Sequence, residues 1–120
     1  MRVLIADDSK VMRMIVLRTL RQSGLTIDEV LEAEDGAVAL AAVPGFAPDL
    51  IMSDWNMPNM NGLEFLQNLR ASGDTTTFGF ITSESNPSMK EQAIAAGAAF
   101  LLTKPFDAER LAEVVGAVVG

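Results

Sequence analysis

Asp54 follows an apolar run, Leu50-Ile51-Met52-Ser53, and opens a turn rich in Asn, Pro and Gly that reaches Gly62. An acidic pair, Asp7-Asp8, ends another apolar run, Val3-Leu4-Ile5-Ala6. Carboxylates brought from two strand ends can hold a hard cation and offer an oxygen nucleophile in one place. A carboxylate attacks a phosphoryl group only when charge repulsion is relieved, and a magnesium ion does this while keeping several waters. Asp7 and Asp8 can form the acidic cradle, with Asp54 as nucleophile. Lys104, just before Pro105, supplies a point charge for a phosphoryl oxygen in a turn where a cis X-Pro bond fits. Thr82, at the end of a further apolar run, offers a hydroxyl. Taken singly, each residue has a plainer reading: an acidic helix cap, an acidic strand end, a solvated lysine, a strand-to-loop boundary. The constellation carries what its parts do not.

The composition limits the alternatives. With 120 residues and 49 % hydrophobic content, the chain has room for one core, and residues 1–120 read as one domain. The absence of cysteine excludes disulfides and thiolate metal sites, and the absence of histidine removes a His-based triad and most zinc sites. Any chemistry runs on carboxylates, hydroxyls, lysine and a bound metal. The net charge of −7 argues against a nucleic-acid surface. Lys10, Arg13, Arg18 and Arg21 are spread along one segment and read as a solvated helix face. No run approaches the length of a membrane span and no signal-peptide anatomy precedes the first strand, so a cytoplasmic protein is expected.

Short apolar runs alternate with amphipathic segments along the whole sequence. The strands expected are Arg2–Ala6, Glu29–Ala33, Leu50–Ser53, Phe78–Ile81 and Ala99–Leu102. The first helix should run from about Ser9 to Ser23 and stop at Gly24, and the second from about Gly36 to Val43, ending before Pro44-Gly45. Asn61 with Glu64 three positions on marks the start of a third helix reaching about Ala71. Asn86-Pro87 opens a fourth that ends near Gly97. A fifth follows Asp107, with Leu111, Val114, Val115 and Val118 on one face. Trp55 is expected to pack without a chemical role, and the methionines to fill core and turns.

Strict βα alternation implies a doubly wound α/β fold, a five-stranded parallel sheet flanked by five helices. Right-handed crossovers then bring every strand's C-terminal end to one edge. Asp7-Asp8, Asp54, Thr82-Ser83 and Lys104 should therefore converge there.

The motifs Asp7-Asp8-Ser9, Ser53-Asp54-Trp55-Asn56-Met57-Pro58-Asn59-Met60-Asn61-Gly62, Ile81-Thr82-Ser83-Glu84 and Thr103-Lys104-Pro105-Phe106 carry a resemblance that covers essentially the whole chain. It resembles the receiver domains of two-component response regulators, in their CheY-like single-domain chemotaxis branch. The resemblance implies a flavodoxin-like sheet of order 2-1-3-4-5, for which CheY is itself a standard example. It implies Asp54 as phosphoacceptor, served by a CheA-like histidine kinase. Mg²⁺ would be bound by Asp8 directly, by Asp7 mainly through water, by Asp54 and by the Asn56 backbone carbonyl. Thr82 and Lys104 would respond to the phosphoryl group. Asn56 and Glu84 would tune dephosphorylation, with an auxiliary phosphatase among the expected partners. Output would be phosphorylation-dependent binding of a flagellar motor switch protein by a monomer.

Two departures stand out. The aromatic residue often found three positions before the lysine is replaced by Leu101, with Phe100 beside it, so the expected switch pair is Thr82 and Leu101 without a rotating ring. The stretch Gly97-Ala98-Ala99-Phe100-Leu101 lacks the wording and flanking basic residues of many dimerising transcriptional regulators. A phosphorelay shuttle or phosphate sink is the alternative function with the same chemistry. A Mg-dependent aspartyl-phosphate phosphohydrolase of the haloacid-dehalogenase type would need a second acid two residues after Asp54, where Asn56 stands, and a cap domain. The chain is therefore expected to phosphorylate itself from a donor and lose the phosphate, without acting as an ordinary enzyme.

Overall fold

The structure, a computed structural model, describes residues 1–119. In chain order its elements are β1 (Arg2–Ala6), α1 (Lys10–Gln22), β2 (Glu29–Ala33), α2 (Gly36–Phe46), β3 (Leu50–Ser53), α3 (Gly62–Ala71), β4 (Thr77–Thr82), α4 (Pro87–Ala96), β5 (Phe100–Thr103) and α5 (Ala108–Val118). The strands form one sheet in the order β2-β1-β3-β4-β5, and every pairing is parallel. This is the doubly wound, flavodoxin-like α/β fold expected from the alternation and the resemblance.

Strand β3 is buried throughout and β1 nearly so, because helices cover both faces of the sheet centre. Alternate residues feed two cores. Leu4, Ile51, Phe78 and Phe80 meet Ala39, Val43, Phe65, Leu66, Leu69 and Ala93 of α2, α3 and α4. Val3, Ile5, Leu50, Met52, Ile81 and Leu102 face the other way, onto Val16 and Leu20 of α1 and Leu111 and Val115 of α5. The period of two along each strand thus decides which helix each side chain meets.

The helix punctuation behaves as read. Ser9 caps α1, and Gly24 follows its end with φ +85°. Asn61 and Glu64 complete a reciprocal capping box on α3. Asn86 caps α4 with Pro87 in its first turn, and Gly97 closes it in the left-handed region that glycine adopts without a Cβ penalty.

Three expectations need correction. The second helix does not stop before Pro44 but continues to Phe46, capped by Ala47, whose amide donates to the Val43 carbonyl at 2.8 Å. Tertiary contacts outweigh the local signal: Arg2 Nε donates to the Phe46 carbonyl at 2.8 Å, and its guanidinium lies 4.5 Å above the Phe46 ring. Strand β4 is longer by one residue at each end and β5 begins and ends one residue later, because Leu50 pairs with Thr77 and Thr82 with Thr103. Met52 is core as expected, but Met14 is 52 % exposed on α1. Among the described residues, no helix is long and apolar enough to cross a membrane.

Candidate functional site

Asp7, Asp54 and Lys104 are each placed by a backbone bond one step past their strands, while Asp8, among the described residues, follows Asp7 without one. The Asp7 amide donates to the Ala33 carbonyl at 3.0 Å and the Asp54 amide to the Ala6 carbonyl at 2.8 Å. The Lys104 amide donates to the Thr82 carbonyl at 2.7 Å. The parallel ladder therefore continues into the site and sets the relative heights of its side chains. Behind Asp54, a Cβ added to Gly62 would lie 2.1 Å from the Asp54 carbonyl oxygen, so only glycine lets α3 start this close.

Asp7, Asp8 and Asp54 each bring a carboxylate oxygen into a group whose members all lie within 4.8 Å of one another. Lys104 Nζ is 3.2 Å from Asp7 Oδ2 and 3.9 Å from Asp54 Oδ2. The Lys104-Pro105 bond is cis. Asp7 is buried, with Oδ1 accepting from the Ser9 amide at 2.9 Å, while Asp8 is exposed. Asp54 Oδ1 accepts from the Trp55 amide at 2.7 Å. That backbone contact is the one part Trp55 plays at the carboxylate; its ring packs 4.7 Å from that of Phe80.

Burial pushes the Asp54 carboxyl above its ordinary value, Lys104 pulls it down, and Asp7 and Asp8 push it up again while the Trp55 amide favours the charged form. Three carboxylates thus face one ammonium. A compact set of hard oxygen donors with uncompensated negative charge suits a hard divalent cation such as Mg²⁺, and contains nothing that favours a soft metal. Of the expected metal ligands, Asp7, Asp8 and Asp54 are brought together. Asn56 is exposed at the rim, where it lines a shallow hollow with Asp8, Met57, Pro58 and Asn61.

Thr82 ends β4 on the same edge, but its buried hydroxyl donates to the Glu84 carbonyl at 2.9 Å and not to Asp54. Glu84 itself is exposed. Leu101 is half-buried against the α2–α4 core, whereas the Phe100 ring turns to the opposite face and fills the space above Gly79. Phe100 therefore does not stand in for the missing aromatic residue.

Arg13 is not part of a solvated face. Its Nη1 donates to the Asp7 carbonyl at 2.6 Å and its Nε pairs with Glu32 Oε1 at 3.0 Å, whereas Lys10, Arg18 and Arg21 are exposed as expected. Sequence reading also missed Asp35, which caps α2 through the Val38 amide and accepts from Asn59 Nδ2 at 2.9 Å. This ties the turn after Asp54 to the start of α2, and the Gly36 amide adds a bond to the Met60 carbonyl at 3.0 Å. The sequence signal for Asp35 was its place before Gly36 as a helix cap; its second partner could be found only from the fold.

The profile of the response regulator receiver domain matches residues 3–116. The chain is 36 % identical over 115 residues to the chemotaxis protein CheY-3 of Vibrio cholerae, covering 94 % of this chain and 87 % of that protein. It is 34 % identical over 114 residues to the chemotaxis protein CheY of Bacillus subtilis, covering 95 % and 93 %. Among solved structures, Vibrio cholerae CheY4 superposes with a TM-score of 0.85 at 38 % identity, covering 98 % of this chain and 97 % of that one. With an acidic cluster at the sheet edge where receivers bear theirs, a matching fold and a family profile that spans nearly its whole length, the chain belongs to the response regulator receiver domains of two-component signalling.

Proposed function

We propose that Asp54 accepts a phosphoryl group from the phosphohistidine of a CheA-like kinase in a Mg²⁺-dependent reaction. The observation that supports this best is Lys104 Nζ lying between Asp7 and Asp54, in a pocket where three carboxylates outnumber it. An Asp54 carboxylate oxygen attacks phosphorus, the nitrogen–phosphorus bond breaks, and the imidazole leaves with the bonding pair. Asp7, Asp8, Asp54 and the Asn56 carbonyl would hold a Mg²⁺ ion, which would supply positive charge against the phosphoryl oxygens. Lys104 pairs with one phosphoryl oxygen, and the Thr82 hydroxyl, released from the Glu84 carbonyl, donates to another. Asn56 and Glu84 at the rim govern access of the hydrolytic water, which makes them the residues that set phosphate lifetime and a surface for a phosphatase.

Chemistry of this kind turns over only the protein's own phosphate, so the chain acts as a signalling switch and not as an ordinary enzyme. We read residues 1–120 as one receiver domain acting in the cytoplasm as a monomer. The names of the relatives favour chemotaxis, with a flagellar motor switch protein as the phosphorylation-dependent partner. Thr82 and Leu101, on adjacent strands, form the link from Asp54 to that output surface.

The test uses Trp55, whose own amide donates to the Asp54 carboxylate. Mg²⁺ should change its emission, and acetyl phosphate should change it further in the wild type but not in Asp54→Asn. An undiminished donor response in Asp54→Asn would overturn the assignment of the phosphoacceptor. Binding of a motor-switch peptide only after phosphorylation separates motor control from a relay or phosphate sink.

A further inference from the structure

We propose that Arg13 is a positioning residue for the metal cradle: it fixes the peptide plane between Asp7 and Asp8 and thereby aims the Asp8 carboxylate. This rests on the reading of Asp7, Asp8 and Asp54 as a Mg²⁺ site. The two acids are held very differently. Asp7 is buried and tethered at four points: its amide to Ala33, its carbonyl to Arg13, and its carboxylate to the Ser9 amide and to Lys104. Asp8 is exposed, and among the described residues its carboxylate has no comparable tether. The direction in which Asp8 leaves the chain is therefore set by the backbone before it. That backbone is the Asp7–Asp8 peptide, whose carbonyl oxygen accepts from Arg13 Nη1 at 2.6 Å, a charge-assisted bond.

Arg13 is itself held from the side. Its Nε pairs with Glu32 Oε1 at 3.0 Å, and Glu32 lies on β2 beside Ile5 of β1. The guanidinium fork thus joins three elements, α1, the end of β1 and the edge strand β2. A lysine carries the same charge but one donor centre, and does not span both partners in one fixed plane. Partners that orient a metal ligand without touching the ion commonly alter metal affinity by about 10–100-fold when removed. Here the partner acts on the ligand's backbone, so the lower end of that range is expected.

Electrostatics alone predicts the opposite sign. A cation at the rim of the site repels Mg²⁺, so if Arg13 acted only by charge, Arg13→Met would tighten Mg²⁺ binding. If Arg13 orients Asp8, Arg13→Met weakens it.

The experiment titrates Mg²⁺ into the full chain, following Trp55 fluorescence, for wild type, Arg13→Met, Arg13→Lys and Asp8→Asn. The expected result is a Mg²⁺ dissociation constant raised about tenfold in Arg13→Met and by a smaller factor in Arg13→Lys. At saturating Mg²⁺, the acetyl phosphate reaction of Arg13→Met should return to within about twofold of wild type, because the reacting groups are untouched. Urea midpoints measured without Mg²⁺ separate this from general destabilisation, which would move the midpoint and leave the dissociation constant alone. Unchanged or tighter Mg²⁺ binding in Arg13→Met, alongside weakened binding in Asp8→Asn, would overturn the role of Arg13 and leave the metal site standing. Binding unmoved in Asp8→Asn would overturn the metal reading and, with it, this inference. Should Arg13→Met fail to fold, Arg13→Lys decides alone, since it keeps the charge and any loss of affinity then comes from the lost fork.

Discussion

The Asp54 carboxylate weakens the fold that holds it, and Asp54→Asn should make the metal-free protein more stable at neutral pH. Lys104 lies 3.9 Å from Asp54 Oδ2, an attraction of about 4 kcal/mol at an effective dielectric constant of about 20. The oxygens of Asp7 and Asp8 lie within 4.8 Å, and each repels Asp54 by about 3.5 kcal/mol on the same scale. Lys104 is shared with Asp7, and Asp8 is exposed enough for water to screen it, so the charges largely offset one another and the burial of Asp54 decides the sign, a net penalty of roughly 1–2 kcal/mol. Asparagine keeps the shape and an oxygen for the Trp55 amide, while removing the charge.

The sign with pH follows from the direction of the shift. Asp54 is held above its ordinary value of 3.8, so the folded state favours the protonated form. Its contribution to stability is full below 3.8 and is lost as pH rises through the folded value, leaving the penalty at pH 7. In chelator at low salt, Asp54→Asn should therefore melt about 3–8 °C above the wild type at pH 7, with the gap narrowing as pH falls. Added Mg²⁺ should also narrow it, since an ion at ten times its dissociation constant stabilises the wild type by about 1.4 kcal/mol. Equal or lower stability of Asp54→Asn at pH 7 without metal would refute the reasoning, because it would mean that Lys104 already neutralises the site.

Two further outcomes test the frame around the site. A Cβ on Gly79 would fall 2.0 Å from the Phe100 ring, so Gly79→Ala should cost about 1–3 kcal/mol in urea unfolding, and Phe100→Leu in that background should recover part of it. Simple additivity of the two changes would show that the contact does not matter. Asp35 is held below its ordinary carboxyl value first by the Val38 amide and then by Asn59, so it contributes stability above 3.8 that is lost as pH falls through its folded value. Asn59→Ala should weaken that hold and raise the acid-unfolding midpoint; an unmoved midpoint would show that the Asn59 bond does not favour the charged form.

Most of the architecture could be read from the chain because its signals were local and agreed with one another. Val3-Leu4-Ile5-Ala6 and Leu50-Ile51-Met52-Ser53 are uninterrupted apolar runs, and Ser9, Asn61, Asn86 and Asp107 cap the helices that follow their strands. Convergence of Asp7, Asp8, Asp54 and Lys104 needed only parallel strands and right-handed crossovers. Pro44 misled because a breaker is a local rule, while the contact that overrides it comes from Arg2, forty-two positions earlier.

Arg13 shows where local reading ends. Four cations along one helix look alike in sequence, and a solvated face is the ordinary expectation for each. What singles out Arg13 is that β2 lies beside β1, so that Glu32 and the Asp7 carbonyl come within reach of one side chain. The same holds on the output side. Leu101 could be noted as a departure, but its meaning depends on the strand's pleat, which sends Phe100 to the α1–α5 core and leaves Leu101 on the α4 side. There the loop after β4 is tied to β5 by hydroxyls, Ser85 Oγ to Thr103 Oγ1 at 2.9 Å, while the Thr82 hydroxyl is held within that loop by Glu84. If Asp54 is coupled to the far face as proposed, these hydroxyl contacts stand beside Leu101 on the side that the coupling must cross. A pattern search for an aromatic residue passes over these contacts, because the Thr82–Glu84 and Ser85–Thr103 bonds are defined only by the packed loop.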